Sequence, residues 1–184
     1  MSYFPHPVRN QYDESDVRRI VEHLVSRIAS TFPAEKQLNI VGIRTRGEAL
    51  AHRLTSMLRQ HGFGNIGRGV LDITLYRDDL SEIGPRPMVR PTHLDISIDE
   101  HPLLLVDDVL FTGRSVRSAL DALADFGRPG VIRLAVLVDR GGRELPIQPD
   151  FVGLTLSDVP SDHRVNVRLR ETDGKDEIVV EPRA

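Results

Sequence analysis

The stretch Leu103–Ser115 reads LLLVDDVLFTGRS. Its first four residues, Leu103–Val106, have the length and unbroken apolar character of a strand buried on both faces. The run ends in two adjacent carboxylates, Asp107 and Asp108, and Val109, Leu110 and Phe111 lead on to a polar turn, Thr112-Gly113-Arg114. Ser115 stands where the N-cap of a helix belongs, and a helix is predicted from Ser115 to Phe126, stopped by Gly127 and Pro129. The free N–H groups and dipole at such a helix start form a cradle for phosphate. Gly113 lets the backbone approach the anion, and the Thr112 and Ser115 hydroxyls can donate to it. Two carboxylates beside that cradle are mismatched in charge unless the ligand also brings hydroxyls or a metal. A ribose 5-phosphate fits: its 2- and 3-hydroxyls can donate to Asp107 and Asp108 while its phosphate rests on Thr112–Ser115.

Working outward, the apolar residues Val17, Ile20, Val21, Leu24, Val25 and Ile28 form one helix face, which Asp13 or Ser15 can cap and Pro33 closes. Leu38–Ile43 (LNIVGI) reads as a buried strand, and Gly47–Gln60 as a second helix ended by Gly62. Arg68–Tyr76 alternates, with Leu71, Ile73 and Leu75 on one face, which predicts a strand. About 16 residues rich in charge, Gly and Pro follow, RDDLSEIGPRPMVRPT, and so long an irregular stretch reads as a functional flap or a disordered loop. Further strands are predicted at Val131–Val138, Phe151–Leu154, Arg164–Leu169 and Glu177–Val180. Alternating strands and helices, with nearly continuous apolar strands, predict one α/β domain over residues 1–184 around a mostly parallel central sheet flanked by helices. Its ends, 1–12 and 171–184, are expected to be loosely ordered. Ligands in such folds bind at the carboxyl ends of the strands, which directs attention to the residues after Ile43, Val106 and Val138.

Composition narrows the class further. The 184 residues carry a net charge of −3, which does not announce a nucleic-acid binder, and no Cys, which excludes disulfides, thiolate nucleophiles and Cys-based zinc sites. No apolar run approaches the ~20 residues of a membrane span, and the N-terminus lacks the layout of a signal peptide, so the cytoplasm is the expected address. Of the 24 basic residues only Lys36 and Lys175 are not Arg. Arg forks suit a polyphosphate ligand, although a coding bias explains the same excess. The string Gly62–Gly67 spells GxGxxG, but a helix precedes it and a strand follows, the reverse of a dinucleotide fingerprint; it reads as a connecting loop. The seven His residues are scattered without ligand spacing.

LLLVDDVLFTGRS resembles the 5-phosphoribosyl-1-pyrophosphate (PRPP) binding motif of type I phosphoribosyltransferases. VGIRTRGEALAHRL at Val41–Leu54, LDITLYRDDL at Leu71–Leu80 and DALADFGRPGVIRLAVLVDRGGRELPI at Asp121–Ile147 together resemble the pyrimidine operon attenuation regulators, RNA-binding proteins that also carry uracil phosphoribosyltransferase activity. The similarity runs from about Asp13 to Leu169. It implies a type I phosphoribosyltransferase fold with a flexible hood at Arg77–Pro91, and a Mg²⁺-dependent conversion of uracil and PRPP to UMP and pyrophosphate. It also implies a UMP- or UTP-responsive contact with the leader of a pyrimidine-operon mRNA, and a homodimer or an assembly of dimers.

The same resemblance implies roles for individual residues. Thr45 and Arg46, with Gly47, would form the pyrophosphate loop, and Arg77 and Arg86 would reach phosphate from the hood. The motif Asp107, Asp108, Val109, Leu110, Phe111, Thr112, Gly113, Arg114 and Ser115 would hold the ribose phosphate, while Arg140 and backbone near Val138 and Val165 would line the uracil pocket. Asp107, Asp108 and Arg46 would carry catalysis by charge and positioning rather than as bases, with Mg²⁺ held through PRPP and water rather than by the protein directly. Arg143 matches a basic position on the RNA face. Two features depart from the pattern: family members read VDRGHREL where this chain has Gly142, and Leu154–Val159 contains no basic residue where a Lys-containing stretch is typical. On the first helix Glu22 and Ser26 fall near the RNA-facing positions. Each missing cation lowers the salt-dependent part of RNA affinity. The activity alone, a phosphoribosyltransferase for another base, and a nucleotide sensor with vestigial catalysis remain as alternatives.

Overall fold

The computed structural model describes residues 9–78, 90–94, 96–156 and 158–183. Asp13 opens the first helix, α1 (Glu14–Thr31): its carboxylate accepts from the N–H groups of Ser15 and Asp16, and the Asp16 carboxylate accepts from the N–H of Asp13. This reciprocal capping box contributes about 1 kcal/mol. Preceding it is the two-residue strand β1 (Gln11–Tyr12); after it come β2 (Leu38–Ile43), α2 (Arg46–Gln60) and β3 (Ile66–Leu71). The chain continues through β4 (Pro102–Leu110), α3 (Arg114–Ala124), β5 (Val131–Asp139), β6 (Phe151–Thr155), β7 (His163–Arg168), α4 (Arg170–Asp173) and β8 (Glu177–Pro182).

Five strands form an all-parallel sheet in the order β3-β2-β4-β5-β6, and a separate antiparallel sheet runs β1-β8-β7. The apolar runs are explained by burial on both faces. In β4, Leu104 and Val106 pack with α1 and α2, while Leu103 and Leu105 pack with Val116, Ala119 and Leu123 of α3. Helix α2 lies very close to the sheet. A Cβ on Gly42 would fall 2.4 Å from the Gly47 carbonyl oxygen, and one on Gly47 would fall 2.5 Å from that of Val106. Both positions therefore require glycine, and the contact seats the start of α2 at the carboxyl ends of β2 and β4.

The structure corrects several boundaries. The strand expected to reach Tyr76 stops at Leu71, because the Asp72 carboxylate accepts from the Thr74 N–H at 2.8 Å and turns the chain into a short 3-10 helix, Thr74–Tyr76. Leu75, expected on the buried face, is 59% exposed. Strand β4 is longer than expected and runs through the acid pair to Leu110, since β5 continues to pair with it at Val109 and Leu110. Ser115 is not the cap of α3; Gly113 is, with a left-handed φ of 94°, and the helix begins at Arg114. The strand expected at Glu177–Val180 is β8, with Ile178 fully buried, and residues 171–183, expected to form a loose end, carry it together with the end of α4. The GxGxxG string connects α2 to β3 as expected. No helix among the described residues is long and apolar enough to cross a membrane.

Candidate active site

Strands β2 and β4 are neighbours, so their carboxyl ends bring two loops together. The first is Arg44-Thr45-Arg46, whose Arg44–Thr45 peptide bond is cis; the second is the end of β4 with the turn into α3. Between them lies a cleft of about 410 Å³ lined by Thr45, Arg46, Arg77, Asp107, Asp108, Val109 and Ser115 of the expected site residues. Ile43, Arg44, Asp72, Ile73, Thr74 and Arg90 complete the wall. The sequence reading missed Arg44, Asp72 and Arg90. Asp72 could have been suspected from its Asx-turn position in LDIT. It accepts from the Thr74 and Arg90 N–H groups at 2.8 and 2.7 Å, and its own N–H donates to the Thr92 hydroxyl. The two ends of the charged stretch are thereby held together beside β3, where His93 also exchanges two backbone hydrogen bonds with Val70. Arg86 and most of the hood lie outside the described residues.

Asp107 is buried, 7% exposed, and its carboxylate accepts from the Asp108 N–H at 2.9 Å. Burial first, then the neighbouring Asp108, pushes its pKa well above the usual carboxylate range. Asp108 is raised as well by burial, against the opposing pull of Asp107 and Arg46. Two such carboxylates want hydroxyl donors or a cation. Among the described residues no cluster of three acidic, His or Cys side chains could hold a metal ion. The adjacent pair fits a Mg²⁺ ion that arrives coordinated mainly by its ligand and water.

The turn after β4 has the geometry of an anion cradle. Left-handed Gly113 opens the eleven-residue α3 without a side-chain cap, and the Thr112 hydroxyl accepts weakly from the Arg114 N–H at 3.3 Å. The Thr112 carbonyl is fixed by the N–H groups of Glu144 and Leu145 at 3.0 and 3.1 Å. Five motif residues do not line the cleft: Thr112 and Gly113 form the turn beside it, and the other three face elsewhere. Leu110 is a core residue, and Arg114 points to the surface, where it pairs with Asp78 and Glu144. Phe111 belongs to a second cluster, with the Arg140 guanidinium 3.9 Å and that of Arg183 5.3 Å from its ring centre.

Arg140 is buried and donates through Nη1 to the His163 carbonyl at 3.1 Å, while its Nε lacks a partner among the described residues. Burial and Arg183 lower its pKa. Val165 is on the same strand as His163, paired with Val180. Arg140 thus bonds the strand that carries Val165, and neither residue lines the cleft; the Arg140 N–H donates to the Leu110 carbonyl at 3.1 Å. Gly142, with φ +71°, faces Phe111 so closely that a Cβ would sit 2.5 Å from the ring edge. Arg143 is turned inward, against expectation for a residue that contacts RNA. Its guanidinium bonds the Ile147 and Phe111 carbonyls at 2.9 Å and the Asp139 carboxylate at 2.7 Å.

Comparison with known proteins agrees with this geometry. The phosphoribosyl transferase domain family model matches residues 9–169. A protein of Chloroflexus aurantiacus named Bifunctional protein PyrR is 52% identical over 165 residues, covering 90% of each chain. The protein of that name from Deinococcus radiodurans is 48% identical, covering 88% of this chain and 87% of its own. Among solved structures, a hypoxanthine phosphoribosyltransferase of Trypanosoma cruzi superimposes with a TM-score of 0.69 at 19% identity, covering 98% of this chain and 94% of that one. A hypoxanthine-guanine phosphoribosyltransferase of Bacillus anthracis does so with 0.67 at 13%, covering 97% and 100%. These distant structures share the fold. The sequence matches go further, and the chain belongs to the phosphoribosyl transferase domain family and, within it, to the family of the bifunctional PyrR proteins.

Proposed function

We propose that the protein transfers the 5-phosphoribosyl group of PRPP to uracil, giving UMP and pyrophosphate, and that it is also a UMP- or UTP-responsive RNA-binding regulator of pyrimidine-operon attenuation. The observation that carries the first activity is the adjacent pair of buried Asp107 and half-buried Asp108, which share one cleft with the Thr45-Arg46 loop, with the start of α3 beside them. In this reading the sugar hydroxyls donate to the two carboxylates, the 5-phosphate lies on Thr112–Ser115, and pyrophosphate lies on the Thr45-Arg46 loop. The bond from C1 to the pyrophosphate oxygen breaks, the bond from C1 to N1 of uracil forms, and the N1 proton leaves to solvent or pyrophosphate. Positive charge grows on the ribose in the transition state, and the Asp107–Asp108 carboxylates stabilise it; Arg44, Arg46, Arg77 and Arg90 favour the departing anion. A Mg²⁺ ion bound with PRPP would neutralise pyrophosphate charge, with Asp107 and Asp108 facing its water shell. Arg140, Val165 and neighbouring backbone are assigned to the uracil pocket.

The RNA-binding role rests on family membership, and the surface supports a weakened form of it. Arg143 is committed to internal bonds, Glu22 and Ser26 are exposed on α1, and at 154–156 Leu154 and Leu156 are buried, leaving Thr155 outward. The test is paired. UMP formation from uracil and PRPP with Mg²⁺ is measured beside a gel shift of a pyrimidine-operon leader transcript with and without UMP. UMP formation with salt-sensitive, UMP-stimulated RNA retention supports both activities. Turnover of hypoxanthine or guanine but not uracil would overturn the choice of base.

A further inference from the structure

Arg46 and Arg53 are seven residues apart on α2 and so share one face of the helix, and α4 with the turn after it sits against that face. Arg46 donates from Nε to Asp173 Oδ2 at 3.0 Å and from Nη2 to Oδ1 at 2.7 Å, a side-on bidentate pair. Arg53 anchors the same segment by bonding Glu171 through Nε at 2.7 Å and Asp176 through Nη1 at 2.9 Å and Nη2 at 2.6 Å. Asp173 is itself held, accepting from the Leu169 N–H at 3.0 Å and from the Thr172 hydroxyl. Its carboxylate is kept ionised by Arg46 far below the usual range.

From this arrangement we propose that Asp173 is a positioning residue for the pyrophosphate end of the active site. The inference rests on the reading of the cleft as a PRPP site. The half-buried Asp108 lines the same cleft as Arg46 and attracts its guanidinium. An untethered Arg46 that swung onto it would cover the carboxylates meant for ribose hydroxyls and withdraw a cation from the leaving group. The side-on pair uses Nε–H and one N–H of Nη2. Three N–H groups remain for an anion, on a fork whose orientation is already fixed, so less side-chain freedom is lost on binding.

The test compares Asp173→Asn, Asp173→Glu and Asp176→Asn in the full-length protein. The readouts are KM for PRPP, kcat, and calorimetric affinities for Mg-pyrophosphate and for UMP, which does not reach the pyrophosphate loop. Asp173→Asn should raise KM for PRPP and weaken pyrophosphate about tenfold, with kcat and UMP affinity within twofold. Asp173→Glu, which keeps the charge but displaces the fork, should fall between it and wild type. It also keeps the test decisive if the Asn variant does not fold. Asp176→Asn, which loosens the Arg53 anchor and the bond from the Arg170 N–H but leaves the Arg46–Asp173 pair in place, should leave pyrophosphate affinity within twofold. Unchanged or tighter pyrophosphate binding in Asp173→Asn would overturn the proposal, as would an equal loss in Asp176→Asn, which would reduce the effect to docking of α4. Wild-type protein that binds neither PRPP nor pyrophosphate would instead refute the reading of the cleft.

Discussion

Replacing Asp107 by Asn should make the ligand-free protein more stable while removing its activity. In the empty site the Asp107 carboxylate is buried, 7% exposed, beside a second carboxylate, and its pKa is raised by burial and then by Asp108. An amide has the same shape. Its oxygen can still accept from the Asp108 N–H, and its NH₂ can donate toward the Asp108 carboxylate without needing a shared proton. Relieving one buried, poorly compensated charge is worth about 1–3 kcal/mol. For a chain of this length each kcal/mol moves Tm by about 2–4 °C, so a rise of about 2–12 °C is expected at pH 8.

The pH dependence has a definite sign. A raised carboxyl pKa means that the folded state holds the proton more tightly than the unfolded chain. The destabilisation is absent at acid pH, grows as pH climbs from the ordinary carboxyl value through the raised folded one, and is complete above it. Melting curves of wild type and Asp107→Asn without ligand, from pH 4 to pH 8, should therefore diverge as pH rises. A variant less stable than wild type at pH 8, or a gap that ignores pH, would refute the assignment of Asp107 as a charge held at a cost for function.

Other consequences are more local. Asp13→Ala removes the capping box of α1 and should lower stability by about 1 kcal/mol in urea titrations, with turnover unchanged. Gly47→Ala would force a Cβ to 2.5 Å from the Val106 carbonyl, and should destabilise the protein by about 2 kcal/mol or more and displace the start of α2, so that soluble protein with wild-type KM for PRPP would contradict the packing. In gel shifts at ~150 mM salt, leader RNA should bind about ten- to a thousandfold more weakly than to a relative with basic residues at the lost positions, with a flatter salt slope; tight UMP-stimulated binding would show that other arginines rebuild the RNA face. Because Arg143 braces Ile147, Phe111 and Asp139 from inside, Arg143→Ala should lower Tm more than it changes the salt slope.

The fold was legible because its central strands are buried on both faces and its helices carry clean apolar stripes. LNIVGI, LLLV and VIRLAVLV could be placed without tertiary information, and the strand-end rule led to Thr45-Arg46 and Asp107–Asp108. Periodicity failed where a side chain competes with the backbone: the alternation of Leu71, Ile73 and Leu75 continued past Asp72, whose carboxylate had already ended the strand. Ser115 looked like a cap because Ser is a favoured one, but a left-handed Gly113 did the capping. The tail was expected to be loose, yet its carboxylates are paired. Their partners, Arg46 and Arg53, lie more than a hundred residues away, and no local pattern records that pairing. The inward turn of Arg143 is of the same kind: a basic residue in a loop reads as surface until its carbonyl partners are known.

The most direct measurement is the rate of UMP formation from uracil and PRPP with Mg²⁺, comparing wild type with the double variant Asp107→Asn, Asp108→Asn. Wild type should turn over uracil in preference to hypoxanthine, guanine or orotate. The double variant, folded and at least as stable as wild type without ligand, should lose at least about a hundredfold in kcat/KM. Near wild-type turnover in the double variant would contradict the placement of the active site, and a folded wild-type protein inactive toward uracil would contradict the proposed reaction.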